Sequence, residues 1–453
     1  MKESYERAAI VAFSLIGWAY IVWKGKSYAF AGLITLFLAL PFNITYQLPQ
    51  GIFEYDPYAN LIISNYLIPT LSILDIFLLL ALIGVLVDFG RSLSRWSVFL
   101  VVISLGYLLV HYLLHPEWIT FISGVRYLVA VNLIGLALFD KDEIFMKFKK
   151  VNEYFIKYLF VWLGLLILLF EVGLGLAQIN RGADMGLSFL GESNLMTGIM
   201  GVSFWSYSGQ DFLRAYGTFP HPNIFAGYLL LAAYLFGQSS FRPFKRADIS
   251  LIFNVAVYSI IALGIAITLS RSAALAFAVF AFLMLMKFTL EKVNEKKVNL
   301  AVIGIPVFMQ RLSPSNIQDE SFEDRLKLSQ AAISGIKENW LVGTGIGRSV
   351  EIYEKIKLQT TGGFTLNQPV HNIFLLLILE NGLFAGVATI LFMIAFWGYS
   401  LLRSKDFYYT VSIISSILII GLLDHYLLTL PQGITIFLFM NLSLVYLTIS
   451  RKS

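Results

Sequence analysis

Gln368-Pro369-Val370-His371-Asn372 runs directly into Ile373-Phe374-Leu375-Leu376-Leu377-Ile378-Leu379, and the apolar stretch continues to about residue 402. That is more than the ~20 residues a helix needs to cross a bilayer. The segment before it, about 310–370, is the longest polar interval in the chain. His371 therefore falls where a water-facing loop meets hydrocarbon, a place suited to chemistry on a lipid-linked substrate. Pro369 fits the first position of a helix, where no amide donor is needed, and this would put His371 in the first turn. The positive end of the helix dipole disfavours imidazolium there, leaving the neutral ring that a general base requires.

The rest of the chain repeats the pattern of that run. Apolar stretches occur at about 8–23, 28–42, 61–87, 96–114, 118–139, 155–178, 223–237, 249–269, 272–289, 298–309, 373–402, 407–423 and 432–449. Of the 453 residues 58% are hydrophobic and 13% charged, with mean hydropathy +0.75, against roughly 25% charged in soluble domains. The runs are continuous, unlike the alternating segments of a barrel. The expected fold is an all-α polytopic membrane protein of about 12–13 transmembrane helices. Lys2, Glu3, Glu6 and Arg7 precede the first run without a small-residue cleavage site, which predicts a retained span.

Basic residues cluster in alternate loops, at Lys24/Lys26, Arg91/Arg95, Lys141 to Lys157, Arg242/Lys245/Arg246, Lys287 to Lys297, Arg403/Lys405 and Arg451/Lys452. The positive-inside bias assigns those loops to the cytoplasm and leaves 43–60, 179–222 and 310–370 outside. Within the last of these, Phe322, Leu326, Ser329, Ile333, Ile336 and Trp340 recur at three- and four-residue spacing, and Ser321 with Asp324 suits a capping box. An amphipathic helix lying on the membrane is predicted there. The net charge of +5 is small and confined to loops, giving no nucleic-acid footprint. The absence of cysteine excludes disulfides, thiol catalysis and cysteine metal sites.

Arg126, Arg214 and Arg271 stand where hydrocarbon meets water, and an ionisable residue in such a place is costly unless paired or functional. Guanidinium groups suit a diphosphate through paired, charge-assisted hydrogen bonds. Snorkelling or structural pairing is the favoured role for Arg126, and function for Arg214 and Arg271. Arg325 and Arg348 are further candidates for an anion site from the loop. His221, in Phe219-Pro220-His221-Pro222-Asn223, is held by two prolines. It could orient an acceptor sugar, donate to phosphate or cap a helix with Asn223. His111, His115 and His425 are expected in the core or at interfaces. Glu380, at the Asn381-Gly382 break, is either a helix-end carboxylate or a supporting group.

The glycines of Gly343-Thr344-Gly345-Ile346-Gly347 have no strand before them and no βαβ unit around them, so they predict a tight turn and no nucleotide site. No HExxH, Walker or outward Asp-x-Asp sequence points to a metal.

Arg214-Ala215-Tyr216-Gly217-Thr218-Phe219-Pro220-His221-Pro222-Asn223, Ser270-Arg271-Ser272, Asp324-Arg325, Asn339-Trp340-Leu341-Val342-Gly343-Thr344-Gly345 and His371-Asn372 with Glu380-Asn381-Gly382 form an ordered set over about 200–390. In order, spacing and hydropathy this set resembles the O-antigen ligase and polymerase superfamily of bacterial envelope glycan enzymes. The chain carries no internal repeat, low-complexity tract or separate soluble domain, so a single membrane domain, 1–453, is expected; the resemblance implies that it lies in the cytoplasmic (inner) membrane with its active site facing outward. It implies inverting, metal-independent glycosyl transfer from a polyprenyl diphosphate such as undecaprenyl diphosphate, with no cofactor. His371 would be the base, and Arg214, Arg271 and Arg325 would engage the diphosphate; His221, Asn372, Glu380, Arg126 and Arg348 would support the acceptor or the site. The partners implied are a lipid-linked oligosaccharide donor, membrane lipids, and an acceptor hydroxyl on lipid A core, a growing glycan or a protein. A ligase is favoured over a polymerase by the single long loop before the His-Asn pair. The competing class is a lipid-linked glycan transporter or flippase, with the arginines as path and His371 as relay; the lack of matching halves disfavours it.

Overall fold

The computed structural model describes residues 2–25, 27–48, 68–150, 153–196, 202–207, 210–238, 247–293, 320–355 and 368–449. The molecule is predominantly helical; among the described residues two pairs of short strands lie antiparallel, Thr45–Gln47 with Thr70–Ser72 and Phe204–Tyr207 with Gln210–Leu213. Each apolar run within the described residues is built on a helix; the run at 298–309 lies outside them. Among the described residues six helical segments are long and apolar enough to cross a membrane: Tyr5–Gly25, Arg95–Leu114, Trp118–Phe139, Val161–Arg181, Arg271–Leu290 and Ile373–Arg403. Others are shorter apolar helices, among them Tyr28–Ala39, Phe407–Leu423 and Pro431–Leu447. The chain is thus an all-α polytopic membrane protein.

Small residues set how closely the helices cross. A Cβ on Gly32 would lie 2.5 Å from the Ala81 backbone, and one on Gly84 would lie 2.5 Å from the backbone of Tyr28 and Ala29. Helices Tyr28–Ala39 and Ile73–Phe89 therefore touch backbone to backbone, the packing that replaces hydrophobic driving force between helices in lipid. Ser72 and Asp75 form a reciprocal capping box at the start of the second helix.

Helix Ile373–Arg403 is broken at Gly382, whose φ of 80° and ψ of 168° are non-helical. The turn after helix Glu320–Glu338 fills that break. Leu383 N–H donates to Trp340 O at 2.7 Å, Thr344 N–H to Leu379 O at 2.9 Å and Gly345 N–H to Glu380 O at 3.1 Å. A Cβ on Gly343 would come within 2.4 Å of Glu380 O, and its φ is +75°. The glycine run is thus a turn, as expected, and one pressed into the opened backbone of its neighbour. Its far side rests on helix Arg95–Leu114, where Ile346 N–H donates to His111 Nε2 at 3.1 Å.

The amphipathic helix is described over Glu320–Glu338. Its buried face is displaced from the expected stripe. Leu328, Ala331, Ala332 and Gly335 are buried, whereas Leu326, Ile333 and Trp340 are 44–52% exposed. Small side chains and a glycine permit close approach to Leu379 and Ile352. The larger apolar residues are left facing outward.

Candidate functional site

The segment 214–223 is fixed before any substrate arrives. Gln178 on helix Glu153–Arg181 accepts from the N–H groups of Tyr216 and Gly217 at 3.1 and 2.9 Å, and its amide donates to Gly217 O at 2.8 Å. Glu171, two turns earlier on the same face of that helix, accepts from Thr218 N–H and hydroxyl, both at 2.8 Å. A side chain at Gly217 would strike Glu171 Oε2 at 2.4 Å, so that glycine is required by space as well as by its φ of +60°. Arg214 and His221 consequently emerge at fixed positions from a buried polar anchor.

At the other side of the site, helix Ile373–Arg403 starts later than Pro369 predicts. Asn372 is its N-cap, accepting from Phe374 and Leu375 N–H at 2.9 and 3.1 Å. His371 therefore precedes the helix, and does not lie in its first turn. A Cβ on Gly421 would sit 2.5 Å from Ile373 Cδ1, so a glycine near the end of helix Phe407–Leu423 lets the two helix ends meet. That contact carries Asp424 and His425 to His371.

The rings of His371 and His425 stand edge to face with centroids 4.8 Å apart. Asp424 accepts from His425 N–H at 2.8 Å and from Asn223 Nδ2 at 2.6 Å. Asn223 Oδ1 accepts in turn from Arg214 Nη2 at 2.8 Å, and Arg214 Nε donates to Thr268 O at 2.8 Å. A continuous chain of hydrogen bonds thus joins Arg214, Asn223 and Asp424 beside the two histidines. His221 accepts from Asn223 N–H at Nδ1, at 3.1 Å, which leaves the proton of the neutral ring on Nε2, facing Ser203 Oγ at 3.1 Å. His371 Nδ1 is buried without a hydrogen-bond partner among the described residues.

Burial governs the electrostatics. It pushes His371 down to about 4, against Asp424, with the positive charge of Arg325 adding to the fall. It pushes His221 to about 3, helped by Arg214, and His425 to about 3, helped by His371. Burial alone would raise Asp424, but His371, His425, His221 and Arg325 outweigh it and hold the carboxyl at about 2. The cluster near neutral pH is one carboxylate among neutral imidazoles, flanked by guanidinium charge. His371 is neutral as expected, through desolvation first and not through a helix dipole.

The sequence-predicted residues divide. His371, Asn372, His221, Arg214 and Arg325 belong to this cluster by contact or by charge. Arg271 is exposed and opens helix Arg271–Val293, three residues after the carbonyl that Arg214 holds. The turn before it is strained, with Leu269 at a φ of +54°, a cost of order 1–3 kcal/mol that surrounding structure must sustain. Arg126 and Arg348 are placed elsewhere. Arg126 makes a two-pronged pair with Asp75, both contacts 2.7 Å, and also donates to Thr70 O. Arg348 pairs with Glu351 at 2.7 and 2.8 Å and with Glu117 at 2.5 Å. Glu380 is buried in the helix break and lines a polar cavity of about 30 Å³ with Arg126, Ser349 and Thr429. Thr429 Oγ1 lies 2.8 Å from His425 Nδ1, so that cavity adjoins the cluster.

From the sequence His425 is expected in the core or at an interface, and Asp424 is not singled out. Both are buried, but as polar members of the cluster. The available signal was a charged Asp-His pair between the apolar runs 407–423 and 432–449, a break as costly as the one at Arg271.

Fold and site together define a multi-pass helical membrane protein with a histidine–carboxylate–arginine cluster where helix ends meet. Residues 256–390 match the family model described as O-antigen ligase, a similarity that supports the resemblance to the O-antigen ligase and polymerase superfamily over that part of the chain. The matched region holds Arg271, Arg325, His371 and Glu380, while Arg214, His221, Asp424 and His425 fall outside it. No curated protein matches the chain.

Proposed function

We propose that the protein is an inverting, metal-independent glycosyltransferase of the O-antigen ligase type, moving a glycan from undecaprenyl diphosphate to an acceptor hydroxyl outside the cytoplasmic membrane. The observation that carries this reading is the partnerless His371 Nδ1, buried in a neutral ring beside the Arg214–Asn223–Asp424 chain. A neutral imidazole with an open lone pair takes the proton from the acceptor hydroxyl as its oxygen attacks the anomeric carbon. The glycosidic bond to phosphate breaks on the opposite face, which inverts the anomeric centre. Arg214, Arg271 and Arg325 stabilise the charge growing on the departing diphosphate. Asn372 fixes the helix start behind the base.

The test follows undecaprenyl diphosphate release from a lipid-linked glycan by the chain in nanodiscs with chelator present. Acceptor-dependent release should fall at least ~10²-fold in His371→Ala, the scale of a lost general base, with substantial losses in Arg214→Ala and Arg271→Ala. Full activity in a folded His371→Ala protein would refute the assignment, and absence of release from every lipid-linked donor tried would favour transport.

A further inference from the structure

We propose that His371, Asp424 and His425 form a binding site for a divalent transition-metal ion of the zinc class, and that an ion bound there silences glycan transfer. The silencing rests on the reading of His371 as base; the binding does not. Each of the three offers one donor atom, all within 4.8 Å of one another, and no other such group of His, Asp and Glu occurs among the described residues. Two imidazoles and a carboxylate are a donor set that holds zinc through three protein ligands and leaves a fourth position open. Bonds of about 2.0–2.1 Å in a tetrahedral site put donors about 3.3 Å apart, so small side-chain rotations close the present spacing.

The surroundings hold the ligands as second-sphere groups do. The His425 ring is tied at Nδ1 by Thr429 Oγ1 at 2.8 Å, and Asp424 by Asn223 at 2.6 Å. Metal-bound histidines are oriented in this way by a hydrogen bond on the nitrogen opposite the ion. His371 Nδ1 is buried and has no hydrogen-bond partner among the described residues, so a ring nitrogen is open to an ion. Arg325 opposes any cation through its charge. The site should therefore select ions that bind through directed donation to nitrogen and reject magnesium, which prefers an octahedron of oxygens. An ion on His371 occupies the lone pair that would accept the hydroxyl proton, so transfer stops.

The experiment titrates the full chain in nanodiscs with cobalt(II), read by its visible absorption, and then displaces cobalt with zinc. One equivalent should bind, magnesium should not compete, and binding should weaken more than about 10-fold in His425→Gln, the effect known even for second-sphere changes. His115→Gln is the control, because His111 and His115 are a second histidine pair with rings 5.1 Å apart. Thr429→Val, which keeps all three ligands, should also weaken binding and serves if His425→Gln does not fold. No cobalt binding, or equal loss in His115→Gln, overturns the site. In parallel, zinc should inhibit wild-type transfer at the concentrations at which it binds, reversed by chelator. Binding without inhibition, or activation by zinc, overturns the silencing. Failure of transfer in metal-free protein that still binds cobalt counts against the glycosyltransferase reading and not against the site.

Discussion

An imidazole that loses its water on folding carries a pH signature, and His371 at about 4 makes it measurable. As base it works unprotonated, so kcat/KM should stay level from about pH 8 down to about 5 and fall only as pH drops through about 4. An acid limb near the ordinary value of about 6.5 would show that water reaches the ring. The same shifts bear on stability. The folded pKa values of His371, His221 and His425 are all depressed, so the unfolded chain binds more protons between about pH 6.5 and 3. Stability therefore rises with pH across that window, and acid should unfold the protein within it. Asn223 gives a second residue-scale prediction, because it bridges Arg214 to Asp424 in the bonded chain described above. Asn223→Leu and Arg214→Ala should each reduce transfer at least about 10-fold. Their double variant should fall short of the product, since residues in one network are non-additive. Independent, multiplicative losses would mean that the chain does not position Arg214.

At the scale of elements, the glycine turn and the broken helix act as one unit. Gly343→Ala demands both a left-handed backbone and space that Glu380 O already occupies at 2.4 Å. A cost of about 2–4 kcal/mol is expected, from a strained φ of about 1–3 kcal/mol with backbone displacement added. Thermal unfolding in detergent should show a clear drop, whereas Gly398→Ala, with open space around it, should be near neutral. The break at Asn381-Gly382 was legible in the sequence, and so was a turn at 343–347. Their mutual fit was not, because it is made by backbone atoms and leaves no periodicity. The helix Glu320–Glu338 shows the converse. Its large apolar residues suggested the buried face, but the face that packs is Leu328, Ala331, Ala332 and Gly335. In a membrane protein lipid accepts large apolar side chains, so small residues mark the helix contact and hydropathy points the wrong way.

For the whole molecule, helix positions could be read from hydropathy because a bilayer imposes length and apolarity on every span. His371, Arg214 and His221 could be read because polar residues at the ends of such spans carry a cost that implies a purpose. Asp424 and His425 were harder, since their role depends on Gly421 and Ile373 letting two helix ends meet. Arg126 shows why cost alone does not identify a catalytic group. Its guanidinium joins helix Trp118–Phe139 to Asp75 in the capping box of helix Ile73–Phe89, with side chains only 9% and 13% exposed. Deleting one partner of a buried pair leaves the other charge stranded and costs about 3–5 kcal/mol. Arg126→Ala should accordingly lower thermal stability and yield, and Asp75→Asn should do so by a comparable amount. Transfer per folded molecule should stay within about 3-fold of wild type, below the ~10²-fold effect of a lost catalytic base. A large loss of activity in a stable Arg126→Ala protein would return Arg126 to the site, through the cavity that it shares with Glu380 and Thr429.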